Sequence, residues 1–78
     1  MMQQEQLVKA LTDKRDFLKI DDKELARLLG IDPGLWSKVK NLKKSPGAKF
    51  LKGVARAFPD LGMVVFDYIR SGDNGQAA

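Results

Sequence analysis

Apolar residues recur along this chain every three or four positions, separated by short stretches bearing Gly, Pro or acidic caps, and the pattern predicts five helices. Leu7, Val8, Leu11 and Leu18 line one face of a first helix over residues 3–18, with Phe17 and Ile20 finishing its apolar side. Asp21 opens D-x-x-E with Glu24, a capping pattern with Ile20 placed as a hydrophobic staple, so a second helix spans 22–29 and buries Leu25, Ala26, Leu28 and Leu29. Gly30 stops it, because a residue without Cβ turns left-handed at little cost. After only Ile31, Asp32 is a good N-cap and Pro33 suits a first helical turn, which starts a third helix over 33 to about 42.

In that third helix Trp36 and Val39, with Leu35 beside them, face inward. Gly34, Ser37, Lys38 and Asn41 fall on the opposite stripe at i, i+3, i+4 and i+7. Glycine is a poor helix former, costing roughly 1 kcal/mol relative to Ala, so close approach of a partner is one reason for Gly34. Residues 43–47, Lys-Lys-Ser-Pro-Gly, read as a basic loop, and a fourth helix begins near Ala48. Its inward set is predicted as Leu51, Val54, Ala55 and Phe58, with Lys49, Lys52 and Arg56 outward. Pro59 ends it, and Asp60 is placed to cap a fifth helix over 61 to about 70.

The fifth helix has more apolar residues than one face needs: Leu61, Met63, Val64, Val65, Phe66, Tyr68 and Ile69. Either it packs against the core on both sides, or Met63, Phe66 and Ile69 form a dimer seam. Residues 71–78 are polar and Gly-rich, as expected of a frayed tail. The prediction is one all-α domain over 1–70, a compact five-helix bundle, followed by that tail.

Composition narrows the chemistry. The 78 residues include no Cys and no His, which excludes disulfides, thiolate nucleophiles, zinc fingers and an imidazole base. No acid-base pair or metal-ligand cluster is legible, so no enzyme activity, cofactor or metal is expected. No run approaches the ~18 to 20 apolar residues that cross a bilayer, and the chain is polar after Met1 and Met2 through Gln6. The expectation is a soluble, cytoplasmic protein with no membrane partner.

Charge changes the picture once it is placed. The net charge is +4, yet residues 38–56 hold Lys38, Lys40, Lys43, Lys44, Lys49, Lys52 and Arg56 with no acid, between flanks that are slightly acidic. Cations concentrated in this way are the footprint of a polyanion-binding face. Two short helices, a turn set by Gly30 and a third helix with a polar outward stripe also match a helix-turn-helix, whose second element lies in the DNA major groove. Trp36, Phe66 and Tyr68 read as packing residues rather than stacking platforms.

Residues 25–39, LARLLGIDPGLWSKV, resemble the lambda-repressor-like family of small helical DNA-binding domains, also called Cro-type or Xre, and the likeness extends over about 7–69. Leu25, Ala26, Leu29, Gly30, Ile31 and Val39 match its structural pattern. The resemblance implies that Pro33, Gly34, Ser37 and Lys38 approach bases, and that Asn41, Lys43 and Lys44 lie where phosphates are met. Lys40, Lys49 and Lys52 are further backbone candidates from the basic segment. Direct readout falls on Ser37, Lys38 and Asn41, since Lys addresses guanine and Asn pairs with adenine. Trp36 takes a slot where an aliphatic residue is usual, and the chain departs from the pattern further: Asp22 stands where a Gln often braces a phosphate, Pro33 and Gly34 offer no side-chain donor at two reading positions, and Leu42 replaces a Gly or polar residue. The implied function is a sequence-specific regulator of transcription, binding double-stranded DNA as a homodimer. The alternative is an antitoxin-like or adaptor module using residues 61–69 to bind protein.

Overall fold

The computed structural model describes residues 3–76. Five helices follow one another: α1 (Gln4–Leu18), α2 (Asp22–Leu29), α3 (Pro33–Lys40), α4 (Ala48–Ala57) and α5 (Gly62–Gln76), with a single 3-10 turn at Pro59–Leu61 before the last. They surround one core of Leu7, Leu11, Leu25, Ala26, Leu29, Ile31, Trp36, Val39, Phe50, Val54, Phe58 and Val65.

Capping chemistry sets the boundaries. Asp21 accepts from the Glu24 N–H at 2.8 Å. Asp32 accepts from the Gly34 N–H at 2.8 Å. Both short helices therefore start at side-chain caps, which satisfy N–H groups that have no partner within the helix. Three helices then end at a left-handed residue: Lys19 at φ 59°, Gly30 at φ 72° and Leu42 at φ 61°. Such a residue turns the chain back so that following N–H groups reach the last carbonyls. After α2 the N–H groups of Gly30 and Ile31 bond to the carbonyls of Arg27 and Ala26, and after α3 those of Leu42 and Lys43 bond to Val39 and Lys38. Glycine does this without strain, whereas Leu42 carries a Cβ into a region that costs roughly 1–2 kcal/mol.

Gly53 meets the Leu29 main chain so closely that a Cβ would stand 2.1 Å from the Leu29 carbonyl oxygen. This bare backbone lets α4 approach the C-terminal turn of α2, next to the buried Ala26. Trp36 and Phe50 stack at 6.2 Å between ring centroids. The stack fastens α3 to α4.

Several faces differ from the sequence prediction. The buried side of α4 is formed by Phe50, Gly53 and Val54, with Leu51 and Ala55 only half-buried, because the close approach at Gly53 rotates the helix away from the face its larger residues suggest. Phe17 is exposed, as are Leu18 and Leu28, so the first two helices bury narrower stripes than predicted. The third helix stops at Lys40 rather than about 42, since Leu42 has already turned left-handed. Asp60 does not cap α5; it sits in the 3-10 turn and pairs with Lys14 of α1, which holds its carboxyl below the ordinary value. The fifth helix starts at Gly62 and runs past Arg70 to Gln76; the end of the expected tail, 77–78, lies outside the described residues. Of its apolar residues Val65 is buried and Met63, Phe66 and Ile69 are exposed.

Candidate nucleic-acid interface

The third helix is anchored from behind and open in front. Trp36 and Val39 are buried, and Gly34, Ser37, Lys38 and Asn41 are all exposed, as the i, i+3, i+4, i+7 spacing requires of one stripe. The Asn41 side chain donates to the Ser37 carbonyl at 2.9 Å. That bond spends one amide hydrogen and leaves the other, with the side-chain oxygen, free for a partner. At Gly34 a Cβ would stand 2.7 Å from Asp32 Oδ2, the oxygen that accepts from the Gly34 N–H. The helix cap thus supplies a reason for glycine here that involves no partner.

Cations flank α3 at both ends. Beyond its C-terminus Lys43 and Lys44 are exposed on the loop, and Gln4 of α1 fixes that loop by donating to the carbonyls of Val39 (3.1 Å) and Lys44 (2.9 Å). Buried Pro46 gives the same loop an apolar foot. Near the N-terminal side, Lys49, Lys52 and Arg56 of α4 line a groove of about 300 Å³ with Leu29, Gly30 and Gly53. A Cβ at Gly30 would stand 3.0 Å from Arg56 Nη2, so this guanidinium lies against the turn joining α2 to α3. Among the described residues Lys38, Lys43, Lys44, Lys49, Lys52 and Arg56 are exposed and form no ion pair.

Lys40 is different. Its Nζ lies 2.6 Å from Asp22 Oδ2, while Asp22 Oδ1 accepts from Arg15 Nη1 at 2.6 Å and from Trp36 Nε1 at 3.0 Å. Partial burial pushes the Asp22 carboxyl upward, but the hydrogen bonds from Lys40, Trp36 and Arg15 outweigh it and hold the group well below the ordinary carboxylate range. One side chain at the start of α2 therefore ties down α1, through Arg15, and α3, through Trp36 and Lys40. The hydrogen bond to Asp22, and after it the one to Asp16, raises the already high pKa of Arg15.

Two departures noted in the sequence account for each other in this arrangement. A buried indole N–H needs an acceptor, and Asp22 supplies it. Trp36 itself carries that requirement, but fourteen residues separate donor and acceptor and nothing local joins them. Gln4, Arg15 and Gly53 escape a reading of the sequence for a similar reason: each acts through another segment of the chain.

Met63, Phe66 and Ile69 project from α5, at 72%, 54% and 44% exposure, as a separate apolar patch. Beside it lies a groove of about 460 Å³ lined by Ala48, Leu51, Lys52, Ala55, Val65 and Ile69. No helix among the described residues is long and apolar enough to cross a membrane. No protein-family model matches the chain, and comparison with curated proteins and with solved structures finds no significant match.

Proposed function

We propose that this chain is a helix-turn-helix regulator of transcription of the lambda-repressor-like, Xre kind, which binds double-stranded DNA with α3 in the major groove and α2 across the backbone. The observation that carries the reading is the exposed Gly34, Ser37, Lys38 and Asn41 stripe on a helix pinned by buried Trp36 and Val39, with unpaired lysines at both ends. Ser37, Lys38 and Asn41 read base edges; Gly34 permits close approach of the backbone. Lys43, Lys44, Lys49 and Lys52 contact phosphates and position the helix. The role is binding rather than catalysis, in the cytoplasm and without a cofactor.

The exposed patch of Met63, Phe66 and Ile69 supports a homodimer that presents two copies of α3 to successive half-sites. The same patch favours one other reading, a protein-interaction or antitoxin-like module in which α5 is the contact surface and DNA binding is weak.

Fluorescence anisotropy with a mixed-sequence duplex tests the proposal. Combining Lys38→Ala, Lys43→Ala and Lys44→Ala is expected to weaken binding at least tenfold and, through the two phosphate contacts of Lys43 and Lys44 at ~0.9 each, to flatten the slope of log affinity against log salt by about 2. Affinity no better than that of an unrelated protein of equal charge, unchanged in the triple variant, refutes it.

A further inference from the structure

We propose that Asp22 is a specificity-determining residue of the DNA interface: its carboxylate positions α3 through Trp36 while withholding Lys40 from the phosphates. This rests on the DNA-binding reading above.

The two roles come from different oxygens. Oδ1 accepts the Trp36 indole N–H at 3.0 Å together with Arg15 at 2.6 Å, and Oδ2 takes Lys40 at 2.6 Å. Trp36 is 1% exposed. Its N–H therefore has no access to bulk water, and Asp22 fixes the rotation of the ring and of the helix that carries it. Lys40 lies between Lys38 and Asn41 in sequence, yet among the described residues it alone of the lysines of 38–52 is paired with an acid.

A phosphate that drew Lys40 away would leave Asp22 short of one cation. One that bound Lys40 where it now lies, 2.6 Å from Asp22 Oδ2, would stand within a few ångströms of a carboxylate, where like charges repel. Lys40 therefore contributes nothing to backbone binding while Asp22 is ionised. Affinity that ignores sequence stays below what all seven cations of residues 38–56 would otherwise give, and the share carried by Ser37, Lys38 and Asn41 rises.

An amide separates the two roles. In Asp22→Asn the side-chain oxygen still accepts from Trp36, but the NH2 group turns a donor toward Lys40 and releases it. Asp67→Asn, at an exposed position of α5, gives the same change in net charge as a control. With a mixed-sequence duplex, Asp22→Asn is expected to bind about five- to tenfold more tightly than Asp67→Asn, with a salt slope steeper by about 1. Adding Lys40→Ala removes the gain, whereas Lys40→Ala alone leaves the wild-type slope unchanged. The indole N–H resonance of Trp36 stays protected from exchange in Asp22→Asn.

Wild-type binding with Asp22→Asn equal to Asp67→Asn overturns the role of Asp22 and leaves DNA binding intact. A slope flattened by about 1 in Lys40→Ala alone also overturns it, even if Asp22→Asn fails to fold, because Lys40 would then already touch a phosphate. If neither wild type nor Asp22→Asn binds DNA, the DNA reading falls and this role with it.

Discussion

Replacing Gly53 by Ala adds one methyl group where α2 and α4 cross, and the structure fixes what that methyl meets. Its carbon would lie 2.1 Å from the Leu29 carbonyl oxygen, 3.1 Å from the carbonyl carbon and 3.5 Å from Cα. The obstacle is main chain, so no side chain can rotate out of the way. The helices must part by roughly 1 Å, a gap that forfeits a quarter to a half of each affected dispersion contact in a close-packed interior. Leu29, Phe50 and Val54 pack at this crossing and are almost completely buried. Overpacking costs about 1–3 kcal/mol and more where backbone must move, and Ala returns roughly 1 kcal/mol of helix propensity. A net loss of about 2 kcal/mol corresponds to a fall in Tm of ~8–16 °C for a domain of this size. Gly62→Ala is the matched control: nothing lies within 4 Å of its added Cβ, and φ −57°, ψ −39° is already helical. It is expected to leave stability unchanged or raise it by up to about 1 kcal/mol. Thermal and urea melts followed by circular dichroism compare the three proteins. A Gly53→Ala protein as stable as wild type would refute the close crossing.

The same geometry fixes the outcome of three other experiments. Leu42→Gly relieves a left-handed residue at the end of α3 and removes a side chain that is about half exposed. Its Tm rises by several degrees, about 0.5–1 kcal/mol, and an unchanged or lower Tm contradicts the strain. The folded Asp22 carboxyl is held below its ordinary 3.8, so its stabilisation is complete above that value and is lost progressively as pH falls from there toward the folded one. Asp22→Asn therefore flattens the acid side of the stability curve, and identical acid titrations in wild type and variant contradict the ion-pair network. Phe66→Ser with Met63→Ser is expected to weaken self-association at least tenfold in sedimentation equilibrium, and a wild type that stays monomeric at high concentration rules out a dimer seam on α5.

Capping chemistry and local spacing make part of this fold legible in the sequence. The second helix falls at 22–29 because Asp21 and Gly30 bracket it, and the starts of α3 and α4 follow from Asp32-Pro33 and from Pro46-Gly47. The exposed stripe of α3 follows from periodicity set against the bulk of Trp36 and Val39. The inward face of α4 does not, because Phe50, Leu51, Val54, Ala55 and Phe58 fit two orientations and the choice depends on the absence of a side chain at Gly53. Phe17 and Leu28 belong to the core on hydrophobicity alone, yet the packing of the other helices leaves both open to solvent. The basic segment is legible as a count, but its division into exposed lysines and one held by Asp22 needs three helices in place. Asp22 itself looks like an acid out of position until the indole it serves is located.

Whether α3 and the lysines around it meet duplex DNA is decided by titrating ¹⁵N-labelled protein with a short duplex and following amide shifts. DNA contact through this face concentrates the shifts on Gly34, Ser37, Lys38, Asn41, Lys43 and Lys44, with Lys49 and Lys52 at their edge. A spectrum that does not change, or changes confined to α5 around Met63, Phe66 and Ile69, would contradict it.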